Sequence, residues 1–531
     1  MTDAPAPYET TQPSPFGSPS SPSSPTSLWG PDLRWTTIGS LVLVLLAAFE
    51  AMAVTTVMPI VAADLDGQEL YAVAFSSTLA ASVIAMVATG RWSDRSGPAG
   101  PLVGGVVVFL VGLVVAGTAG SMPILVVGRF LQGLGGGAIT VTLYVLIARL
   151  YPAFLQPRIF GLFSAAWVVP SMVGPYLAGV ITEHASWHWV FLGVALVEIP
   201  ALALLVPALR SLRAASRAGG AGGDASADPT RIDDAAGVLA VDAAATVDGG
   251  PGAPRRGARV LATPVALALA TVVAIGVVAV GSLVEVIDGP IVWAGVAAVL
   301  VLVVLALRQL LPPGTLLAAR GLPATILVRG TLAATYFGTE IYLPLMLQRE
   351  HDLTPSRAGL VLTAGAISWS IGSAIQARLG LRAPSPRLVV IGSSIVAFAV
   401  GIQLVSVLAG FGVWGALVGW FVGGSGMGLA MPRITMLVLA YAPVREQGAA
   451  SAALSISDAV GASSITAVMG VLAVTVGGVE AGAVAYASCF ALALAVGIAT
   501  FLIGRRTALA GATSEAAADG GGVGGSATLA T

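Results

Sequence analysis

Residues Gly90 to Gly100 read GRWSDRSGPAG and set two arginines and an aspartate between two of the most apolar stretches of the chain. The meaning of that charge depends on its flanks, because the same residues in a soluble protein would be an ordinary surface loop. Composition assigns the flanks. Hydrophobic residues fill 56% of 531 positions and charged residues only 10%, with a mean hydropathy of +0.92, whereas soluble domains carry roughly a quarter charged residues. The chain reads as a polytopic membrane protein. Its net charge of −1 gives no bias that would draw it to nucleic acid. Cys489 stands alone in an apolar run, so neither a disulfide framework nor a thiol metal site is expected.

Apolar windows about 20 residues long, the length that crosses a hydrocarbon core of roughly 30 Å as a helix, recur fourteen times. They fall at 36–58, 72–90, 101–119, 123–148, 159–181, 188–209, 260–283, 290–310, 323–347, 357–379, 388–409, 413–438, 448–474 and 480–503. In lipid each must be helical, since a lone strand leaves its amides without partners. A transmembrane barrel is excluded, because its windows would be about ten residues long and would alternate in polarity. Residues 1–34 (with TQPSPFGSPSSPSSPTS), 210–259 and 505–531 are polar, low-complexity segments that cannot bury enough apolar surface to fold. No cleaved signal peptide is expected, as no basic region leads into a short apolar core. Within the central loop, RIDDAAGVLAV (231–241) is expected to form a short interfacial helix.

The arginines orient the bundle. With a cytoplasmic N-terminus, twenty of the 25 fall in cytoplasmic loops and helix ends, Arg349 and Arg357 fall outside, and Arg129, Arg329 and Arg433 lie within windows. Such asymmetry places both termini in the cytoplasm. The opening stretch is then the cytoplasmic turn between the second and third helices.

At this turn the chain resembles the major facilitator superfamily, which carries Gly-x-x-x-Asp-Arg-x-Gly followed by basic residues. Gly90, Asp94, Arg95 and Gly97 match, while Pro98 and Ala99 stand where that family usually has arginine or lysine. GRFLQGLGGGAI in helix four matches its Arg-x-x-Gln-Gly pattern at Arg129, Gln132 and Gly133. GLFSAAWVVPSMVGPYLAG in helix five matches the antiporter-branch signature at Gly161, Gly174, Pro175 and Gly179, with Pro170 and Ala178 replacing two glycines. AAFEAMAVTTVMPIVAADL in helix one and the later SWHWVFL are similar to the fourteen-helix drug:proton antiporters.

The resemblance covers about 36 to 503. It implies an all-α fold of two six-helix bundles, 35–209 and 311–504, rocking about a central site, with two additional helices at 260–310 that carry no membrane charge and read as peripheral. It implies a plasma-membrane, proton-coupled exporter of lipophilic or cationic small molecules. The expected partners are a small-molecule substrate, protons and the lipid bilayer, with the proton gradient in place of any cofactor. A monomer is expected.

Several residues keep two readings. The opening turn is a gate if Asp94 meets a helix N-terminus in the other half and Arg95 meets an acid, locking the outward-facing state; it is an anchor if Arg91 and Arg95 only hold topology. The aspartate favours the gate, because an anchor does not need it. Gly174-Pro175 is either a simple kink or a hinge and seal between the halves.

A carboxylate inside a spanning helix marks function by default, and the candidates are Glu50, Glu198, Glu340 and Asp458. Glu50 lies about eight residues, ~12 Å, from the outer end of helix one, and Arg129 about six residues, ~9 Å, from that of helix four. The matched depth makes a switchable Glu50–Arg129 interaction the expected proton-coupling element, with a fixed structural pair as the alternative. Dry surroundings favour a neutral acid and a nearby arginine the charged form, so moving between them takes up and releases a proton. Glu340 and Asp458 either line the cavity or make structural hydrogen bonds, and Glu198 is a further cavity candidate. Arg329 and Arg433, nearer the cytoplasmic ends, are placed to snorkel. His184, His188 and His351 have no metal-ligand spacing.

No enzyme is expected. GLGGGA from Gly133 fits Gly-x-Gly-x-x-Ala but follows no strand, and neither a Walker A sequence nor a hydrolase motif is present. The alternatives are a carrier of the same fold for a lipid, peptide or sugar, and a channel or transport-like receptor.

Overall fold

Each apolar window becomes one helix. The computed structural model describes residues 27–31, 33–152, 155–221, 263–286, 291–379, 383–443, 446–477 and 482–508. The first six long helices are α1 (Arg34–Asp64), α2 (Tyr71–Ser96), α3 (Ala99–Gly117), α4 (Met122–Leu150), α5 (Gln156–His184) and α6 (His188–Ala221). Then come α7 (Thr263–Val286), α8 (Ile291–Leu310), α9 (Leu322–Glu350), α10 (Pro355–Leu379), α11 (Ser385–Ala409), α12 (Gly412–Tyr441), α13 (Gln447–Gly477) and α14 (Ala483–Gly504). No strand occurs among the described residues.

Thirteen of these helices are long and apolar enough to cross a membrane, and α9 is the exception. Its sequence explains why: it carries Arg329, Glu340 and four threonines. Thr325, Thr331, Thr335 and Thr339 each donate to the carbonyl four residues back, at 2.8–3.1 Å, which hides their hydroxyls from an apolar setting. Packing against α13, α14 and α12 covers most of the rest.

Two groups of six helices repeat one another. In the first, α1 packs on α5 and α6, α2 on α4, and α3 on α4 and α6; in the second, α9 packs on α13 and α14, α10 on α12, and α11 on α12 and α14. Glycines set the closest approaches in both. A Cβ on Gly133 would stand 2.1 Å from the Thr78 carbonyl, and one on Gly424 would stand 2.1 Å from that of Gly365. Backbone thus meets backbone between α2 and α4 and between α10 and α12, as small residues permit in membranes. The repeat is written in VGRFLQGLGGGA (127–138) and VGWFVGGSGMGL (418–429).

The groups join along two seams, α5 with α10 and α2 with α13. Helix α7 packs on both α2 and α13, whereas α8 packs mainly on α7. The expectation of two peripheral helices therefore holds for α8 and not for α7, which spans a seam.

Several expected boundaries move. The opening turn is shorter than Gly90 to Gly100: α2 runs through Ser96, and only Gly97 and Pro98 separate it from α3. No breaker precedes Gly97, whose φ of 77° suits glycine alone, and Pro98 starts the next helix. Leu28 and Leu33, assigned to the N-terminal tail, are buried in the core. At the other end Gly321 N–H donates to the Arg506 carbonyl at 3.0 Å and Tyr441 Oη to that of Thr507 at 2.9 Å, so ordered structure passes residue 504. Helix α6 continues to Ala221, beyond the expected 209. RIDDAAGVLAV lies outside the described residues.

Candidate functional site

The strongest polar constellation sits inside the first bundle. From α4, one terminal guanidinium nitrogen of Arg129 donates to the Glu50 carboxylate of α1 and, at 2.8 Å, to Gln132 Oε1. Its Nε reaches the Ala74 carbonyl of α2 at 3.4 Å. Glu50 and Arg129 are each only 4% exposed. Three helices are thereby tied by one cation. Taking two charges out of water costs several kcal/mol per ion, and removing one partner of such a pair costs about 3–5 kcal/mol. A proton on Glu50 therefore changes the energetics of the whole bundle.

Glu198 of α6 is 2% exposed, and its Oε2 has no hydrogen-bond partner among the described residues. Glu340 of α9 is 8% exposed, lies within electrostatic reach of Tyr336, and joins no ion pair among the described residues. Asp458 is held differently. It accepts from Arg329 Nε at 2.7 Å and from a terminal nitrogen at 3.2 Å, a forked bridge between α13 and α9. Arg329 is thus engaged by an acid and not by solvent alone. Arg433 does not snorkel: it is 2% exposed and donates to the Gln376 carbonyl at 2.6 Å and to Ser385 Oγ at 3.3 Å.

The repeat relates two sites that the sequence reading treated separately. In the aligned stretches Trp420 takes the place of Arg129. Its ring stacks on Tyr336 of α9 at 4.4 Å between centroids and 24° between planes, and Trp369 meets the same tyrosine edge-on at 5.5 Å. Where the first bundle links its helices by an ion pair, the second uses an aromatic stack one helical turn from Glu340. Sequence reasoning missed this cluster; the signal was the glycine-rich repeat itself.

The helix-five motif lies on a seam. A Cβ on Gly179 would stand 2.4 Å from Ser356 N, and one on Gly359 would stand 2.5 Å from the Pro175 carbonyl, so α5 and α10 touch through glycine. Thr363 Oγ1 donates to the Met172 carbonyl at 2.9 Å, and Ser356 N–H to Glu183 Oε1 at 2.9 Å. Gly174 faces Phe49 and Met52 of α1 instead. Gly161 lies in α5, with its surroundings outside the described residues. Two further bonds cross between the halves near the arginine-poor end: Tyr71 Oη to the Ile341 carbonyl at 2.7 Å and Gln348 Nε2 to that of Thr56 at 2.9 Å.

At the arginine-rich end, Arg149 donates to the Ser93 carbonyl at 3.4 Å, and the Trp92 ring lies over Gly100 and Gly104. These contacts fasten the opening turn to its own bundle. Gly90 sits within α2, and Arg95 is exposed with no ion pair among the described residues. Among the described residues the expected Arg95–acid lock is not formed. The Asp94 side chain lies outside the described residues.

Two mutually repeating six-helix bundles joined along seams, with charge buried inside them, define a polytopic membrane transporter. A sequence profile described as Major Facilitator Superfamily matches residues 40–339, and the chain belongs to that family. It is 28% identical over 435 residues, 81% of this chain and 85% of the relative, to a Mycobacterium tuberculosis protein named "Probable multidrug-efflux transporter". Over 169 residues it is 36% identical to an uncharacterised MFS-type transporter of the same organism, covering 31% of this chain and 25% of that one. Over 158 residues it is 32% identical to Multidrug resistance protein 3 of Bacillus subtilis, covering 30% of this chain and 31% of that one. These shorter matches span only a quarter to a third of the relatives' lengths.

Among solved structures, a POT family transporter in complex with a thioalcohol-conjugated peptide superposes with a TM-score of 0.60 at 12% identity, covering 90% of this chain and 97% of that one. A D-xylose-proton symporter gives 0.59 at 14% identity, covering 90% and 98%. At these identities the likeness is one of fold.

Proposed function

We propose that the protein is a proton-coupled exporter of lipophilic, cationic small molecules in the plasma membrane. The observation that carries this is the buried Glu50–Arg129 pair, which links α1, α2 and α4 through one titratable contact. Protonating Glu50 removes the counter-charge of Arg129 inside a dry bundle, and the energy of that unmatched cation drives the helices to rearrange. The relatives named for multidrug efflux and for multidrug resistance agree with export. With the arginine-poor end outside, closure along α5 and α10, together with an Arg95 that joins no ion pair among the described residues, corresponds to an inward-facing arrangement.

Glu340, one helical turn from the Tyr336–Trp420–Trp369 cluster, supports a cationic, aromatic cargo, because a buried acid and ring faces both attract an organic cation. The test uses the full-length protein in liposomes with an imposed proton gradient and ethidium as cargo. Wild type should expel it uphill. Glu50→Gln, fixed neutral, should lose uphill transport by roughly tenfold or more, about 1.4 kcal/mol per tenfold, and keep downhill exchange. Gradient-driven ethidium transport by Glu50→Gln would show that coupling lies elsewhere. Uptake of a peptide or sugar without ethidium efflux would favour a carrier of an endogenous solute.

A further inference from the structure

The first helix of each bundle holds a proline within its last two turns, Pro59 in α1 and Pro344 in α9. Proline has no N–H, so each leaves the carbonyl four residues back, that of Thr55 or of Glu340, without its helical donor, and its ring crowds the same turn. In a membrane such turns persist because neighbouring helices supply donors. Here the donors come from the opposite bundle. Gln348 Nε2 of α9 donates to the Thr56 carbonyl at 2.9 Å, and Tyr71 Oη of α2 donates to the Ile341 carbonyl at 2.7 Å. Each acceptor stands three residues before its proline. The two bonds are therefore reciprocal, and they land on the same step of the two proline turns.

Tyr71 is placed where two features of the molecule meet. It is 3% exposed, and its ring lies 5.4 Å from that of Phe75 and 6.0 Å from that of Tyr342 between centroids. The next residue, Ala72, closes on α13, where a Cβ on Gly470 would stand 2.4 Å from the Ala72 Cβ. Tyr71 thus belongs to the closed α2–α13 seam at the arginine-poor end, beside a small cavity whose lining includes Leu345, Arg349 and Ala473. The residue it holds, Ile341, directly follows Glu340. One hydroxyl joins the outer seam to the turn that carries the buried acid, and that turn already lacks one helical bond.

We propose that Tyr71 is a positioning residue for Glu340: it holds the proline turn of α9 so that the outer seam stays closed until cargo reaches the acid. This rests on the reading of Glu340 as the acid that takes the cation. A cation drawn to Glu340 displaces a turn that its own helix holds loosely, and the Tyr71 bond breaks once the Ile341 carbonyl leaves the range of about 3 Å. Cargo at Glu340 therefore shifts the population towards an open outer seam.

The experiment reads that seam directly. Ala473, 6% exposed, is replaced by cysteine in the full-length protein carrying Cys489→Ala. Its labelling by a membrane-impermeant maleimide is timed in right-side-out membrane vesicles, with and without ethidium loaded inside. Ethidium should speed labelling of this parent protein. Tyr71→Phe keeps the ring and loses only the donor. It should label roughly two- to tenfold faster without ethidium, the range that one hydrogen bond supplies, and ethidium should add little. Glu340→Gln should label as slowly as the parent and lose the response to ethidium. Parent-like labelling in Tyr71→Phe overturns the proposal, and a lower melting midpoint alongside it would make the bond purely structural. Fast labelling in Tyr71→Phe that ethidium still raises as much as in the parent overturns it too, since the seam is then not tied to cargo. An intact ethidium response in Glu340→Gln rejects instead the reading of Glu340 as the cargo acid.

Discussion

Asp458 and Arg329 show how burial separates two ion pairs of similar chemistry. Their side chains are 28% and 22% exposed, against 6% and 5% for Glu50 and Arg129. The forked bridge is consequently cheaper to form and its partner cheaper to strand. Asp458→Asn should lower stability by about 1–3 kcal/mol, read as a fall in the thermal midpoint of the detergent-solubilised protein. Transport per folded molecule should persist. A combined Arg329→Met and Asp458→Leu change should regain most of that loss, since replacing both charges by apolar groups is often neutral or stabilising. An Asp458→Asn protein that melts normally yet does not transport would move Asp458 from scaffold to transport path.

Among the elements, α4 is the one whose function depends most on missing side chains. Gly133 presses on the Thr78 carbonyl, and Gly137 on that of Ser82 at 2.5 Å from a would-be Cβ; Gly136 meets only the Phe109 ring at 3.7 Å, an ordinary contact. Gly133→Ala should therefore push α4 off α2 and cost about 1–3 kcal/mol by overpacking. Gly136→Ala should be tolerated. The comparison is made by thermal unfolding of the two purified variants, and equal melting would mean that α2 and α4 have room to part. The same displacement would shift Arg129 relative to Glu50, so Gly133→Ala should also slow proton-driven efflux.

For the whole molecule, the closed seam between α5 and α10 is the testable feature. Cysteines at Glu183 and Ser356, where backbone N–H and carboxylate now meet at 2.9 Å, should cross-link readily under oxidation. The native Cys489 is buried and free, so it does not compete. If the halves rock apart there, the cross-linked protein should stop transporting and recover on reduction. Full transport in the oxidised protein would show that this seam does not open. Because α7 packs on α2 and α13, the second seam carries an extra helix, and opening must either move α7 with one bundle or slide it.

Hydrophobic windows, the spacing of arginines and four short motifs were enough to read the helical class, the number of long helices and the family. These follow from local physics: each window alone must satisfy its backbone in lipid, and each loop charge acts where it stands. The meeting of Glu50 with Arg129 was legible from depth, as both lie at similar distances along neighbouring helices. Other pairings were not. That Asp458 takes Arg329, that Trp420 stacks where its counterpart forms an ion pair, that α7 bridges a seam, and that Glu198 turns inward all depend on the rotation of one helix about its axis relative to another. Near-uniform apolarity around these helices leaves that rotation unspecified in sequence. It is set instead by which glycines let which backbones approach, and those contacts exist only once the bundles have packed.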